Sequence, residues 1–108
     1  MSPFKKEKFD IIIAGTGPAG IFAALELVQD APGMCILLID KGADLDSRVA
    51  QRSTSKESVM DSYLSGWGGA GAFSDGKLNL TSEVGGNLNE YMEEMELLNL
   101  IDYVDSLY

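Results

Sequence analysis

Residues 9–42 read FDIIIAGTGPAGIFAALELVQDAPGMCILLIDKG, and this stretch decides the fold. Ile11 to Ala14 is apolar without alternation, as expected of a parallel strand buried on both faces. Gly15, Gly17 and Gly20 follow at the offsets of G-x-G-x-x-G. Gly15 permits the tight turn out of the strand, Gly17 leaves room for a pyrophosphate beside the backbone, and Gly20 lets the next helix pack close to the sheet. Pro18 and Ala19 open that helix, where the missing N–H of proline costs little. The free N–H groups and positive dipole end of the helix then face the phosphates. A second apolar run, Met34 to Asp40, predicts the second strand and ends in an acid twenty residues past Gly20.

The order strand, glycine turn, helix, strand, acid is the fingerprint of a dinucleotide-binding βαβ unit. The carboxylate of Asp40 suits an unphosphorylated ribose diol, as in FAD or NAD, and would repel a 2′-phosphate. The G-x-G-P-A-G form, with Pro18 and Ala19, resembles the N-terminal FAD site of the glutathione-reductase-like flavoproteins. In that family the acid is more often Glu, so the shorter Asp40 implies a longer or indirect ribose contact. Lys41, next to the acid, is counted among the cofactor-binding positions. The likeness also implies that an Arg shortly after the acid contacts the cofactor's phosphates or adenine side. Arg48 stands at that distance, in a polar stretch, residues 41–56, that otherwise reads as a solvated loop or short helix.

The chain has 108 residues, room for one small domain, with ordinary apolar and charged content. Residues 1–8 read as a flexible arm and residues 9–108 as the N-terminal part of a discontinuous cofactor-binding domain. No run of about 18 apolar residues is present, and the first apolar run is too short for a signal peptide, so a cytoplasmic protein is expected. A net charge of −9 disfavours nucleic acid and anionic membrane surfaces as partners. The single cysteine, Cys35, reads as a buried, inert thiol. The absence of histidine excludes a Ser-His triad and the usual histidine metal site within this chain.

Further along, residues 57–64 show helical spacing, and residues 65–80, SGWGGAGAFSDGKLNL, bring five glycines within eleven residues. So many glycines suit a backbone that passes close to something flat or charged. Trp67 and Phe73 argue against a plain flexible linker. From Asn87 to Tyr108 an apolar stripe predicts helix, with a break near Glu96 and Asn87 or Asn89 as the cap.

GWGGAGAFSDGKLNL, together with EVGG and LIDYVDSLY, resembles a family of bacterial and archaeal FAD-dependent dehydrogenases, the NAD(P)/FAD-dependent oxidoreductases, and the likeness covers essentially the whole chain. It implies a Rossmann-like FAD/NAD(P)-binding βαβ unit of α/β class, followed by a glycine-rich loop and C-terminal helices. It implies that Gly68, Gly69, Ala70 and Gly71 run along the FAD pyrophosphate and ribityl chain. Ser74, Asp75 and Lys77 would lie towards the flavin ring or the substrate, with Lys77 stabilising charge on a reduced flavin; a solvent-facing loop lysine is the alternative. Many family members carry cysteines between the second strand and the glycine stretch, and this chain has none there, so any redox or metal role of those cysteines is absent. Family members are several times longer, which makes this chain an expected fragment whose sheet a complementary C-terminal segment or chain would complete. The function expected is the FAD-binding portion of an oxidoreductase, with NAD(P) as a partner in the complete enzyme and an unknown substrate. An adenine-nucleotide binding module without activity of its own is the alternative. A methyltransferase, which also uses a glycine loop and an acid, fits the two glycine stretches poorly.

Overall fold

The computed structural model describes residues 8–52 and 64–107. The predicted helix over residues 57–64 lies outside them except for Leu64. The protein is a small α/β structure with a two-stranded parallel sheet and three helices among the described residues. The chain divides into two compact units, one ending at Phe73 and the other starting at Ser74.

In the first unit, β1 (Ile11–Ala14) leads through the glycine turn into α1 (Pro18–Asp30), which returns to β2 (Ile36–Ile39). The strands pair in parallel, Ile11 opposite Ile36 and Ala14 opposite Ile39. The ladder runs on at both ends, where Asp10 donates to the Cys35 carbonyl at 2.9 Å and Gly15 to that of Ile39 at 2.7 Å. Asp10 also accepts the Cys35 N–H on its carboxylate at 2.8 Å, fixing the entry to β2. Cys35 therefore precedes the strand and is exposed, which corrects the buried thiol expected from the apolar run. The second strand is shorter than its apolar pattern because Met34 closes the turn after α1, donating to Ala31 at 3.0 Å.

Pro18 stands at the start of α1, and the helix ends where Ala31 donates to Leu27 at 2.8 Å, just before Pro32 and Gly33. The covered face of α1 runs through Gly20, Ala24 and Leu27, while Leu25 and Val28 stay exposed. Gly20 sets that rotation, since a Cβ there would overlap the carbonyl oxygen of Gly15 and press on Ile13. The expectation of a strand buried on both faces also fails. Burial along β1 alternates, with Ile12 60 % exposed, because α1 packs on the sheet and two strands cannot cover their other face.

α2 (Leu45–Arg52) realises the short-helix alternative for the polar stretch. Asp44 caps it, accepting the Ser47 N–H at 2.8 Å. In the second unit a single 3₁₀ turn, Leu88–Glu90, precedes α3 (Glu94–Leu107). The break falls at residues 91–93, ahead of Glu96, and Asn87 makes no side-chain capping bond. Glu94 and Glu96 instead favour the start of α3 by their charge against the helix dipole. Leu97, Ile101 and Val104 of α3 line an apolar groove with Leu78, Leu80 and Leu88, and Leu97 is buried. Tyr91 and Met95, which share the stripe in the sequence, are exposed.

Candidate functional site

The carboxyl ends of β1 and β2 open into a cleft of about 580 Å³ in the first unit. Ala14 and Gly15 at the end of β1, Ile39, Asp40 and Lys41 at the end of β2, and Leu64 and Ser65 line it. A crevice outside the carboxyl ends of parallel strands is where open α/β sheets take ligands. Gly15 turns the chain out of β1 with φ of +106°, a conformation that favours glycine. The chain then reaches Gly17, the N-cap of α1, which offers no side chain to the first-turn N–H groups. A Cβ built at Gly17 would find nothing within 4 Å, so the space beside this backbone is open.

Thr16, between these glycines, is buried. Its N–H and its hydroxyl both donate to Oδ2 of Asp40, at 2.8 and 3.0 Å. Gly42 donates its N–H to Oδ1 at 2.8 Å. The Thr16 backbone N–H, followed by that of Gly42, holds the Asp40 carboxyl at about 2, below its ordinary 3.8, and outweighs the opposing effect of desolvation. Asp40 is thus an ionised carboxylate at the lip of the cleft at neutral pH. Thr16 and Gly42 take three acceptor positions on its two oxygens, and the Gly66 N–H favours the ionised form as well.

The second glycine-rich stretch joins the first. Gly68 donates to the Thr16 carbonyl at 2.8 Å and Trp67 to the Ala43 carbonyl at 3.0 Å. Gly69 lies so close to α1 that a Cβ there would stand 3.1 Å from Gly17 Cα and 3.4 Å from Pro18 Cδ. Gly68 and Gly69 both have positive φ, +86° and +62°. Ala70 and Gly71 continue into a 3₁₀ turn, Ala70–Phe73. Arg48 lies behind this stretch, wholly covered by protein, with Nη1 donating to the Trp67 carbonyl and its guanidinium 4.8 Å from the centre of the Phe73 ring.

The structure therefore brings Gly15, Gly17, Pro18, Asp40, Gly68 and Gly69 together, sets Ala19 and Gly20 in the first turn of α1, and puts Lys41 on the cleft wall. Ser74, Asp75 and Lys77 belong to the second unit and form a local turn. Gly76 donates to the Ser74 hydroxyl at 3.0 Å, and Lys77 Nζ lies 3.4 Å from the Asp75 carboxylate, both side chains largely exposed. Sequence reasoning missed Thr16 and Gly42. The signal for Thr16 is a hydroxyl residue between the first two glycines, facing a strand-end acid. Among the described residues no group of acids and cysteine is arranged to hold a metal ion, and no helix is long and apolar enough to cross a membrane.

No family model matches the chain, and no solved structure matches it. Over 74 residues it is 42 % identical to an uncharacterized protein of Clostridium beijerinckii, a match covering 62 % of this chain and 13 % of that one. Over 70 residues it is 26 % identical to a probable electron transfer flavoprotein-ubiquinone oxidoreductase of Acinetobacter baylyi, covering 60 % of this chain and 12 % of that one. The chain spans about an eighth of the length of these curated relatives. The second match is distant and partial, and it points towards the flavoprotein oxidoreductases.

Proposed function

We propose that the chain is the FAD-binding portion of a flavin-dependent oxidoreductase, built on a Rossmann-like βαβ unit, and that the cleft takes the ADP half of the cofactor. The observation that carries this is the meeting of two glycine-rich stretches at the N-terminus of α1, beside an ionised Asp40. The site fits the group: the open space at Gly17 admits a pyrophosphate where any side chain would intrude, and the uncapped first turn of α1 offers N–H donors to it. In this proposal Gly15, Gly17, Pro18, Ala19 and Gly20 hold the pyrophosphate. Asp40 takes one ribose hydroxyl, with Lys41 beside it. Gly68, Gly69, Ala70 and Gly71 follow the pyrophosphate towards the ribityl chain. FAD bound there would supply the electron-accepting ring, and the protein's part is to bind, orient and exclude water. Helices of a longer protein, or of a complementary chain, would cover the face on which Ile12 is exposed, and further strands would pair at the sheet edges.

The test is an absorbance spectrum after incubation with FAD and removal of the excess. Flavin bands retained on the protein support the proposal. Loss of all flavin, with NADH still bound, would replace it with an adenine-nucleotide module that carries no redox group.

A further inference from the structure

Arg48 projects from α2, where Leu45, Asp46, Val49, Ala50 and Gln51 are exposed, yet its side chain is completely covered. A guanidinium carries five N–H donors and a full charge, and it is buried only where its surroundings compensate it. Three groups packed against it belong to one segment. Nη1 donates to the Trp67 carbonyl. The planar group lies over the Phe73 ring at 4.8 Å. Its Cδ lies where a side chain at residue 66 would have to go, which only glycine allows. Gly66, Trp67 and Phe73 bracket Gly68, Gly69, Ala70 and Gly71, so Arg48 grips both ends of the stretch whose middle lies on the glycine turn. The same segment is tied to Ala43 and Thr16 by backbone hydrogen bonds.

We propose that Arg48 is a positioning residue for the flavin site, one that clamps residues 66–73 onto the turn of α1 and does not pair with a cofactor phosphate. This rests on reading the cleft as a flavin dinucleotide site. Only arginine meets both demands, because a planar guanidinium stacks on a ring while donating in its own plane, and an ammonium does one or the other.

Arg48→Lys separates the two roles, since it keeps the charge and removes the plane. Trp67 is the only tryptophan in the chain and lies in the clamped segment, so its fluorescence reports the segment without any ligand. In the full chain without cofactor, Arg48→Lys is expected to raise acrylamide quenching of Trp67 while the far-ultraviolet circular dichroism is kept. FAD binding by the same variant is expected to weaken by about 10–100-fold, the scale seen when a supporting partner behind a ligand contact is lost. Phe73→Leu, which removes the ring and keeps the charge and the hydrogen-bond donor, is expected to move Trp67 quenching the same way by less, and it serves as the readout if Arg48→Lys does not fold. Unchanged Trp67 quenching in a folded variant, or FAD affinity restored by lysine to the wild-type value, overturns the clamp. If the wild-type chain retains no FAD, the flavin reading fails, and Trp67 quenching alone decides whether Arg48 holds the segment.

Discussion

The two glycine-rich stretches of this chain differ in what surrounds them. In the first, Gly20 has no room for a side chain because the Gly15 carbonyl stands there, whereas Gly17 faces open space. In the second, Gly66 is crowded by Ala43 and Arg48, and Gly69 by Gly17, whereas Gly71 and Gly76 meet nothing. Crowded glycines are demanded by the protein's own packing. Open ones answer to a backbone angle, as at Gly76, or are free for something outside the chain, as at Gly17. Glycine spacing therefore mixes two kinds of information that only the surrounding atoms separate.

The largest expected effect breaks the crowded class. Gly66→Ala forces a Cβ into Ala43 and Arg48 at a φ of +114°, and should cost about 3 kcal/mol or more in chemical denaturation. A loss under about 0.5 kcal/mol would show that the second stretch is not packed as described. Gly20→Ala comes next. Its clash with Gly15 is offset by the better helix propensity of alanine, leaving a net loss of about 2 kcal/mol. Gly17→Ala sharpens the comparison from the other side. It should change stability by less than about 1 kcal/mol, since φ of −75° suits alanine and the space is empty, yet weaken FAD binding about tenfold or more. Equal FAD affinity in Gly17→Ala would remove this glycine from the site.

The smallest effect concerns Asp40. Its folded value of about 2 lies below the ordinary 3.8, so its contribution to stability is fully present above about pH 4 and is lost as pH falls towards 2. Asp44, lowered mainly by the Ser47 N–H, acts in the same direction, so the comparison must be with Asp40→Asn. The urea midpoints of wild type and variant should differ by a constant amount from neutral pH to about 4 and converge below it. A gap that persists to pH 2 would mean that the Thr16 and Gly42 hydrogen bonds do not favour the ionised form.

Where local chemistry sufficed, the sequence was legible. The span of α1 follows from Pro18 at one end and Pro32-Gly33 past the other, and β1 from the apolar run before Gly15. The apolar run overstates the second strand and suggests a buried Cys35, because such a run records hydrophobicity and not which residues a neighbour covers. The apolar stripe overstates the covered face for the same reason, since Tyr91 ahead of α3 and Met95 in its first turn keep the helical period of the covered residues and still face solvent.

The residues alone dictate the order β1, α1, β2, the tight turn at Gly15 and the acid after the second strand. Each depends on backbone angles, caps and spacings within a few residues. Only the tertiary structure decided that Thr16 engages Asp40 across 24 positions and that Arg48, 19 positions before Trp67, turns inward to hold that residue's carbonyl. Hydrogen bonds at such separations depend on how α1 and α2 lie against their surroundings, a geometry set by packing that no short window of residues encodes.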